Sequence, residues 1–175
     1  LDMMRYVPLG FNTGMETKLL PYLIVYLYKI ASLFTPISIE YAAVLYPVVA
    51  FALTTIVFFF FVRELFRAEE YAEIIALIST SLLVVSPLLL SRTIAGIPEK
   101  ESSILFMFAA FYFFLLAWRQ ASLKKALFFG VLAGVMSGFM GLIWGAILYL
   151  FMPLEISVFL AFILGKIDRT KMIVY

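Results

Sequence analysis

The chain has 175 residues, of which 65% are hydrophobic and 14% are charged, and its mean hydropathy is +1.10. Soluble domains average about 45–50% apolar and about 25% charged residues. This composition therefore excludes a soluble enzyme and a disordered chain, and it favours an integral membrane protein. The net charge of +2 is too small for a nucleic-acid-binding surface, so we expect no nucleic-acid partner. The sequence contains no Cys and no His, so a bound metal would need Asp and Glu oxygens.

The first 40 residues differ from the rest of the chain. Residues 19–34 are apolar, but they are few for a membrane span and they include Pro21 and Lys29. This pattern is typical of a helix that lies at the membrane surface. We therefore interpret residues 1–40 as an extramembrane loop with an interfacial helix. Because the chain starts at Leu1, not Met, we also expect it to be a piece of a longer protein.

Three uncharged runs predict the first membrane spans. They cover residues 41–62, 74–91 and 102–118, with lengths of 22, 18 and 17 residues. A helix that rises 1.5 Å per residue needs about 20 residues to cross about 30 Å of hydrocarbon. Each run is close to that length, so each predicts one transmembrane helix.

Residues 126–165 form a 40-residue stretch with Glu155 as its one charge. We interpret the stretch as two spans with a turn near residues 141–145. The alternative is one long helix to Met152, followed by an interfacial segment that begins at Pro153. In the two-span interpretation Glu155 lies inside the membrane, where it must face protein or water. The predicted fold is an all-α polytopic membrane protein with about five transmembrane helices in residues 41–175.

Basic residues predict the orientation of the chain. Five spans place three connections on one side, and these hold eight basic residues: Arg63, Arg67, Arg119, Lys124, Lys125, Lys166, Arg169 and Lys171. The other side, with residues 1–40 and 92–101, holds five. The positive-inside rule makes the first side cytoplasmic and the second external.

Glycines recur every fourth residue in the same region: Gly130, Gly134 and Gly138, then Gly141 and Gly145. This spacing lets membrane helices approach closely. We interpret the glycines as helix-packing positions; the alternative is a substrate groove beside them.

The loop at residues 91–101 carries the sequence Ser-Arg-Thr-Ile-Ala-Gly-Ile-Pro-Glu-Lys-Glu. In an extended loop, residues two apart point to the same side, so Glu99 and Glu101 can converge on a hard cation such as Mg²⁺ or Mn²⁺. Arg92 lies at the end of the preceding span, and a guanidinium forms paired hydrogen bonds to phosphate. The alternative is that these are ordinary charges at helix ends that face lipid headgroups.

Three parts of the chain resemble the catalytic subunit of oligosaccharyltransferases. Residues 6–10 (Tyr-Val-Pro-Leu-Gly) and 20–22 (Leu-Pro-Tyr) resemble the end of its first external loop. Residues 91–101 resemble its second acidic motif, Ser-Arg-Ser/Thr-x-Ala-Gly, two residues, acid-x-acid. Residues 144–145 (Trp-Gly) and 153–154 (Pro-Leu) resemble a Trp-Gly-Gly segment and the Pro-Leu that follows it. The order and spacing are similar over most of the chain, and the archaeal members are the most similar.

The resemblance implies an enzyme of the glycosyltransferase C superfamily in the plasma membrane of an archaeon, with its active site outside. Such enzymes transfer an oligosaccharide from a polyprenyl phosphate or diphosphate carrier to Asn in an Asn-x-Ser/Thr sequon. The implied partners are the lipid-linked donor, the acceptor polypeptide and the bilayer. By the same resemblance, Glu99 and Glu101 bind Mn²⁺ or Mg²⁺, and Arg92 gives electrostatic support. The family usually has Asp where this chain has Glu99.

The resemblance also implies parts that these residues do not contain: a first acidic motif, a later catalytic Glu and a sequon-binding domain. Asp2 matches the later part of the first loop and is not predicted to bind metal. We therefore expect the 175-residue piece to be inactive alone. Two alternatives remain: a glycosyltransferase of the same superfamily with another acceptor, and a transport or structural membrane protein.

Overall fold

A computed structural model describes residues 8–10 and 19–174. The described residues form helices and contain no strand, which confirms the all-α prediction. The helices are α1 (Leu19–Ala31), α2 (Ile39–Leu65), α3 (Ala72–Val84), α4 (Pro87–Leu90), α5 (Ile104–Arg119), α6 (Leu123–Ile143), α7 (Leu148–Ile163) and α8 (Arg169–Val174). Two short 3₁₀ turns, Lys100–Ser103 and Gly145–Ile147, precede α5 and α7. Asp2 and the start of the 6–10 segment lie outside the described residues.

Four helical segments of the described chain are long and apolar enough to cross a membrane. They are Ile39–Leu65, Lys100–Arg119, Leu123–Ile143 and Gly145–Ile163. The last two confirm that residues 126–165 form two spans. The separation occurs at Trp144, whose extended backbone (φ −139°, ψ 128°) interrupts the helical hydrogen bonds. The alternative of one long helix to Met152 is therefore wrong.

The predicted span at residues 74–91 is not one continuous helix. α3 has 13 residues, which at 1.5 Å per residue is roughly 20 Å, too short to cross the hydrocarbon alone. The helix stops before Ser86, which is extended (φ −63°, ψ 118°), and α4 begins at Pro87. Proline lacks a backbone N–H and disfavours the helical conformation in the residue before it. This pass consists of two helical pieces.

One end of the bundle collects the three connections that are rich in basic residues. Arg119, which ends α5, donates from Nη1 to Oε1 of Glu64, near the end of α2, over 2.8 Å. The Nζ of Lys171 in α8 lies 5.6 Å from the ring centroid of Trp118. We call this the basic end. Its composition agrees with the predicted grouping, and its cytoplasmic orientation stays a prediction.

The opposite end of the bundle holds the loop at residues 91–101, which we call the acidic loop. The amide of Gly96 donates to the carbonyl of Val44 over 3.0 Å, and the hydroxyl oxygens of Ser102 and Tyr46 lie 3.5 Å apart. Both contacts lie near the start of α2, whereas the basic end lies near its finish. The chain between Glu64 and Gly96 therefore crosses the bundle, so α3 and α4 together make a fifth pass.

α1 packs beside α2, and none of its residues is buried. A short apolar helix with this exposure is compatible with a position at the membrane surface. That position and the division of the chain at residue 40 stay predictions.

The interior of the bundle is built from small side chains. The most buried apolar residues include many alanines: Ala42, Ala50, Ala76, Ala109, Ala110, Ala117, Ala126 and Ala133. Large apolar side chains such as Leu82 and Phe159 point outward. In lipid, association rests on close packing of small residues rather than on burying large apolar ones. This arrangement is therefore that of a membrane bundle.

Gly134 and Gly138 of α6 are not packing positions among the described residues, whereas Gly141 is one, because an added Cβ there would lie 2.9 Å from Cδ1 of Ile147. A Cβ added at Gly134 or Gly138 would meet no atom within 4 Å. The buried positions of this helix are instead Ala126, Ala133 and Met140, with Ile143. The helix-packing interpretation of Gly134 and Gly138 is therefore wrong within the described part of the chain.

This geometry predicts opposite effects for two glycine substitutions. Gly134→Ala should raise the free energy of unfolding by about 0.5–1 kcal/mol, because alanine favours the helix and nothing blocks its methyl group. Gly96→Ala should lower it by about 1–2 kcal/mol, because Gly96 has φ +92°. Thermal unfolding of the full-length protein in detergent would measure both. A loss of stability in Gly134→Ala would contradict the open space at that position.

Candidate functional site

Two contacts hold the start of the acidic loop. The hydroxyl of Thr93, a buried residue, donates to the carbonyl of Leu89 in α4 over 2.9 Å. Three residues later, Gly96 has φ +92° and donates to the carbonyl of Val44. These contacts join the loop to α4 on one side and α2 on the other. Arg92, which follows the end of α4, is therefore held in a defined position.

The acidic pair does not lie on the extended backbone that the sequence predicts. Glu99 is extended (φ −97°, ψ 163°), but Lys100–Ser103 forms a 3₁₀ turn directly after it. The hydroxyl of Ser102 donates to the carbonyl of Glu99 over 2.8 Å, which stabilises this turn. With three residues per turn, side chains two apart do not share a side. The prediction that an extended backbone directs Glu99 and Glu101 to the same side is therefore wrong, and their role as metal ligands stays a prediction.

Arg92 pairs with one of the two carboxylates, that of Glu99. Its Nη1 donates to Oε2 of Glu99 over 2.8 Å, in a partly exposed ion pair. This hydrogen bond, together with the negative charges of Glu99 and Glu101, raises the pKa of Arg92 above its ordinary value. The guanidinium is therefore positively charged at any working pH.

A cleft of about 300 Å³ opens beside this group. Arg92 and Glu101 are its two charged lining residues, and Ser86 adds one hydroxyl. The remaining walls are apolar: Leu83, Leu89, Ile104, Met107, Phe108 and Trp144. The cleft therefore combines one cation and one carboxylate with apolar walls. Glu99 pairs with Arg92 but does not line this cleft.

Sequence reasoning missed most of the cleft wall. Leu83, Leu89 and Met107 are ordinary residues of apolar runs, and no spacing distinguishes them. Trp144 was noted for its resemblance to a family segment, and the structure places it in the same cleft as Arg92. The detectable signal was a tryptophan beside a glycine at a break between two spans.

The two acidic residues can form part of a metal site. Carboxylates are the ligand type that Mg²⁺ and Mn²⁺ prefer. Among the described residues, however, no three Asp, Glu, His or Cys side chains come together. Glu99 and Glu101 would therefore supply at most part of a coordination shell. Water, a substrate phosphate or acids outside the described residues would complete it.

The whole chain, residues 1–175, matches the family described as "Oligosaccharyl transferase STT3, N-terminal". No curated protein and no solved structure gives a significant match. The family match confirms the resemblance to the catalytic subunit of oligosaccharyltransferases. Members of this family are membrane glycosyltransferases that transfer oligosaccharides, and the apolar helical bundle fits that class. The chain therefore belongs to the oligosaccharyl transferase STT3 family and corresponds to its N-terminal region.

Proposed function

We propose that this chain belongs to a metal-dependent oligosaccharyltransferase of archaeal type, which transfers glycan from a polyprenyl phosphate or diphosphate to Asn in Asn-x-Ser/Thr sequons. The proposed location is the plasma membrane, with the acidic loop outside. One observation supports the proposal: Arg92 and Glu101 line a largely apolar cleft at one end of a membrane bundle. That end is opposite the one that collects the basic connections.

The cleft matches the chemistry of a lipid-linked sugar donor. Such a donor has an anionic phosphate between a sugar and a long apolar chain. The guanidinium of Arg92 offers several N–H groups to phosphate oxygens while one of them binds Glu99. Apolar side chains such as Met107 and Phe108 line the walls behind it. The phosphate would therefore lie beside Arg92 while the tail stays in an apolar environment.

The reaction breaks the bond between the anomeric carbon of the sugar and a phosphate oxygen. A new bond forms from that carbon to the side-chain nitrogen of Asn, the amide gives up one proton, and the carrier phosphate leaves with its electron pair. Arg92 stabilises the negative charge that develops on the leaving phosphate. Glu99 and Glu101 would hold a divalent metal, which supplies further neutralisation of that charge as a Lewis acid.

Amide activation gives the carboxylates a second proposed role. The amide nitrogen of Asn is a poor nucleophile because its lone pair is delocalised into the carbonyl. A carboxylate that accepts hydrogen bonds from the amide N–H groups weakens this delocalisation. Glu101 is the carboxylate that lines the cleft, so we assign this contact to it.

The function is tested with the full-length protein, a lipid-linked oligosaccharide and a short acceptor peptide. We expect glycan on an Asn-x-Thr peptide, none on the matched Gln-x-Thr peptide, and loss of transfer after chelation that added Mn²⁺ restores. Transfer to the Gln peptide would contradict the proposed acceptor. Activity that chelation does not change would contradict metal dependence.

The same assay tests Arg92. Arg92→Gln should lower kcat/KM by roughly 10- to 100-fold, since it removes one charged donor from the leaving phosphate. The kcat/KM of Arg92→Lys should lie between those of the unmodified enzyme and Arg92→Gln, because an ammonium keeps the charge but cannot form paired hydrogen bonds. Arg63→Gln is the matched control, since Arg63 pairs with Glu73 over 3.3 Å outside this cleft. Equal losses in Arg63→Gln and Arg92→Gln would show that the cleft is not the donor site.

A further inference from the structure

Glu155 lies almost at the centre of a membrane span. The span that contains it runs over Gly145–Ile163, 19 residues, so its central residue is 154. Eight residues separate Glu155 from Ile163, and at 1.5 Å per residue this is roughly 12 Å of helix. A glutamate side chain is too short to reach the headgroups from that depth. A carboxylate there must be met by protein or water.

The described part of the chain does not provide a partner for this carboxylate. Glu155 is exposed on the surface of α7 and has no ion pair or hydrogen bond with a described residue. It lines a groove of about 450 Å³ together with Lys171. The Nζ of Lys171, however, contacts Oδ2 of Asp168 at 3.3 Å and the carbonyl of Lys166 at 3.1 Å. That cation is already satisfied at the basic end.

α7 is also the least covered of the candidate spans. Of the most apolar 18-residue segment of this span, 6% is buried. The corresponding share is 22–28% in the other three candidate spans of the described residues. Three large exposed side chains share a face with Glu155 through helical spacing: Met152, Phe159 and Phe162. This face has a carboxylate at its centre and apolar side chains above and below it.

We propose that the face of α7 formed by Met152, Glu155, Phe159 and Phe162 binds a further transmembrane helix, outside the described residues, that carries Lys or Arg at mid-membrane depth. Charge complementarity selects this occupant. Lipid tails cover the apolar side chains equally well but offer no donor to a carboxylate. A basic side chain on a neighbouring helix provides both the charge and the hydrogen bonds that Glu155 lacks.

Site-specific crosslinking in the full-length protein tests the proposal. A photo-crosslinking residue replaces Phe159, next to Glu155 on this face. The control position is Leu53, which is exposed, apolar and near the centre of Ile39–Leu65. We expect position 159 to crosslink to a peptide from a Lys- or Arg-containing transmembrane helix. Crosslinks to lipid alone, to a second copy of α7, or to a helix without a basic residue would overturn the proposal.

A second experiment exchanges charges to test the pairing of Glu155. Glu155→Gln should lower the crosslink yield from position 159 by about 3- to 30-fold, the range for an interhelical polar contact in a membrane. Glu155→Lys should abolish the crosslink, and changing the identified basic residue to Glu should restore it. The Gln variant is nearly isosteric, so it decides the test if the Lys variant does not accumulate. An unchanged yield in Glu155→Gln would refute the charge pairing.

Discussion

Arg119→Met is expected to lower the free energy of unfolding by about 2–4 kcal/mol, more than the loss of any other ion pair described here. Arg119 binds three acceptors at the end of α2. Its Nη1 contacts Oε1 of Glu64 at 2.8 Å and the backbone carbonyl of Glu64, and its Nη2 contacts the carbonyl of Leu65 at 3.2 Å. The loss of one side chain therefore removes three hydrogen bonds.

Two physical effects make this site sensitive. The last carbonyls of a helix have no partners within the helix, and a cation near them also interacts favourably with the helix dipole. The pair is also largely shielded from solvent, with exposures of 27% for the Arg119 side chain and 16% for Glu64. Removing Arg119 would leave the Glu64 carboxylate and the end of α2 with poorer partners in a poorly hydrated position.

Arg67→Met is the matched control, because Arg67 binds the same Glu64 Oε1 at 3.3 Å but is 68% exposed. Its loss should change stability by less than about 0.5 kcal/mol, as is usual for a surface ion pair. Arg119→Lys should lower the free energy of unfolding less than Arg119→Met does. It should still lower it, since an ammonium cannot reproduce the planar hydrogen-bonding geometry of the guanidinium. Thermal unfolding in one detergent would rank the three variants. Equal effects of Arg67→Met and Arg119→Met would contradict the proposed role of Arg119.

The order of the membrane passes could be predicted from charge alone. Charged side chains are costly in hydrocarbon, so uncharged runs mark the passes whatever the packing. The same criterion could not detect the break before Pro87, because proline is uncharged and does not interrupt such a run. It also could not show that Gly134 faces open space, because spacing along one helix does not define what lies opposite.

The candidate site was predictable only at the level of residue type. The loop sequence identified Arg92, Glu99 and Glu101, but the assumed extended geometry fails at Lys100, where the 3₁₀ turn begins. Pairing of Arg92 with Glu99 depends on how α4 and the loop fold back on each other. The cleft is lined by residues that are distant in sequence, such as Leu83 and Trp144, and it forms only when the fold brings them to one place. Local pattern does not encode contacts of this kind.

Removing both acids of the loop is expected to abolish metal-dependent glycan transfer in the full-length enzyme. Under the proposed function, Glu99 and Glu101 would hold the metal, and the Glu99→Ala, Glu101→Ala variant would retain no carboxylate in the loop. The control is Glu73→Ala, an exposed carboxylate that pairs with Arg63 outside this cleft. Its activity should match that of the unmodified enzyme. Unchanged transfer by the double variant at saturating donor and limiting Mn²⁺ would refute the ligand assignment.

Single substitutions should separate the two acids. Glu101 lines the cleft, whereas Glu99 is held by Arg92 at 2.8 Å and lies outside the lining. Glu101→Gln should therefore lower kcat/KM by about 100-fold or more, the scale for losing one electrostatic group at a reacting centre. Glu99→Gln should have a smaller effect, about tenfold, because the Glu99 carboxylate is already engaged by Arg92 and can give only part of its oxygens to the metal. If Glu99→Gln were the more damaging variant, Glu99 rather than Glu101 would make the dominant contact with metal or substrate, and its pairing with Arg92 would have to open during the reaction.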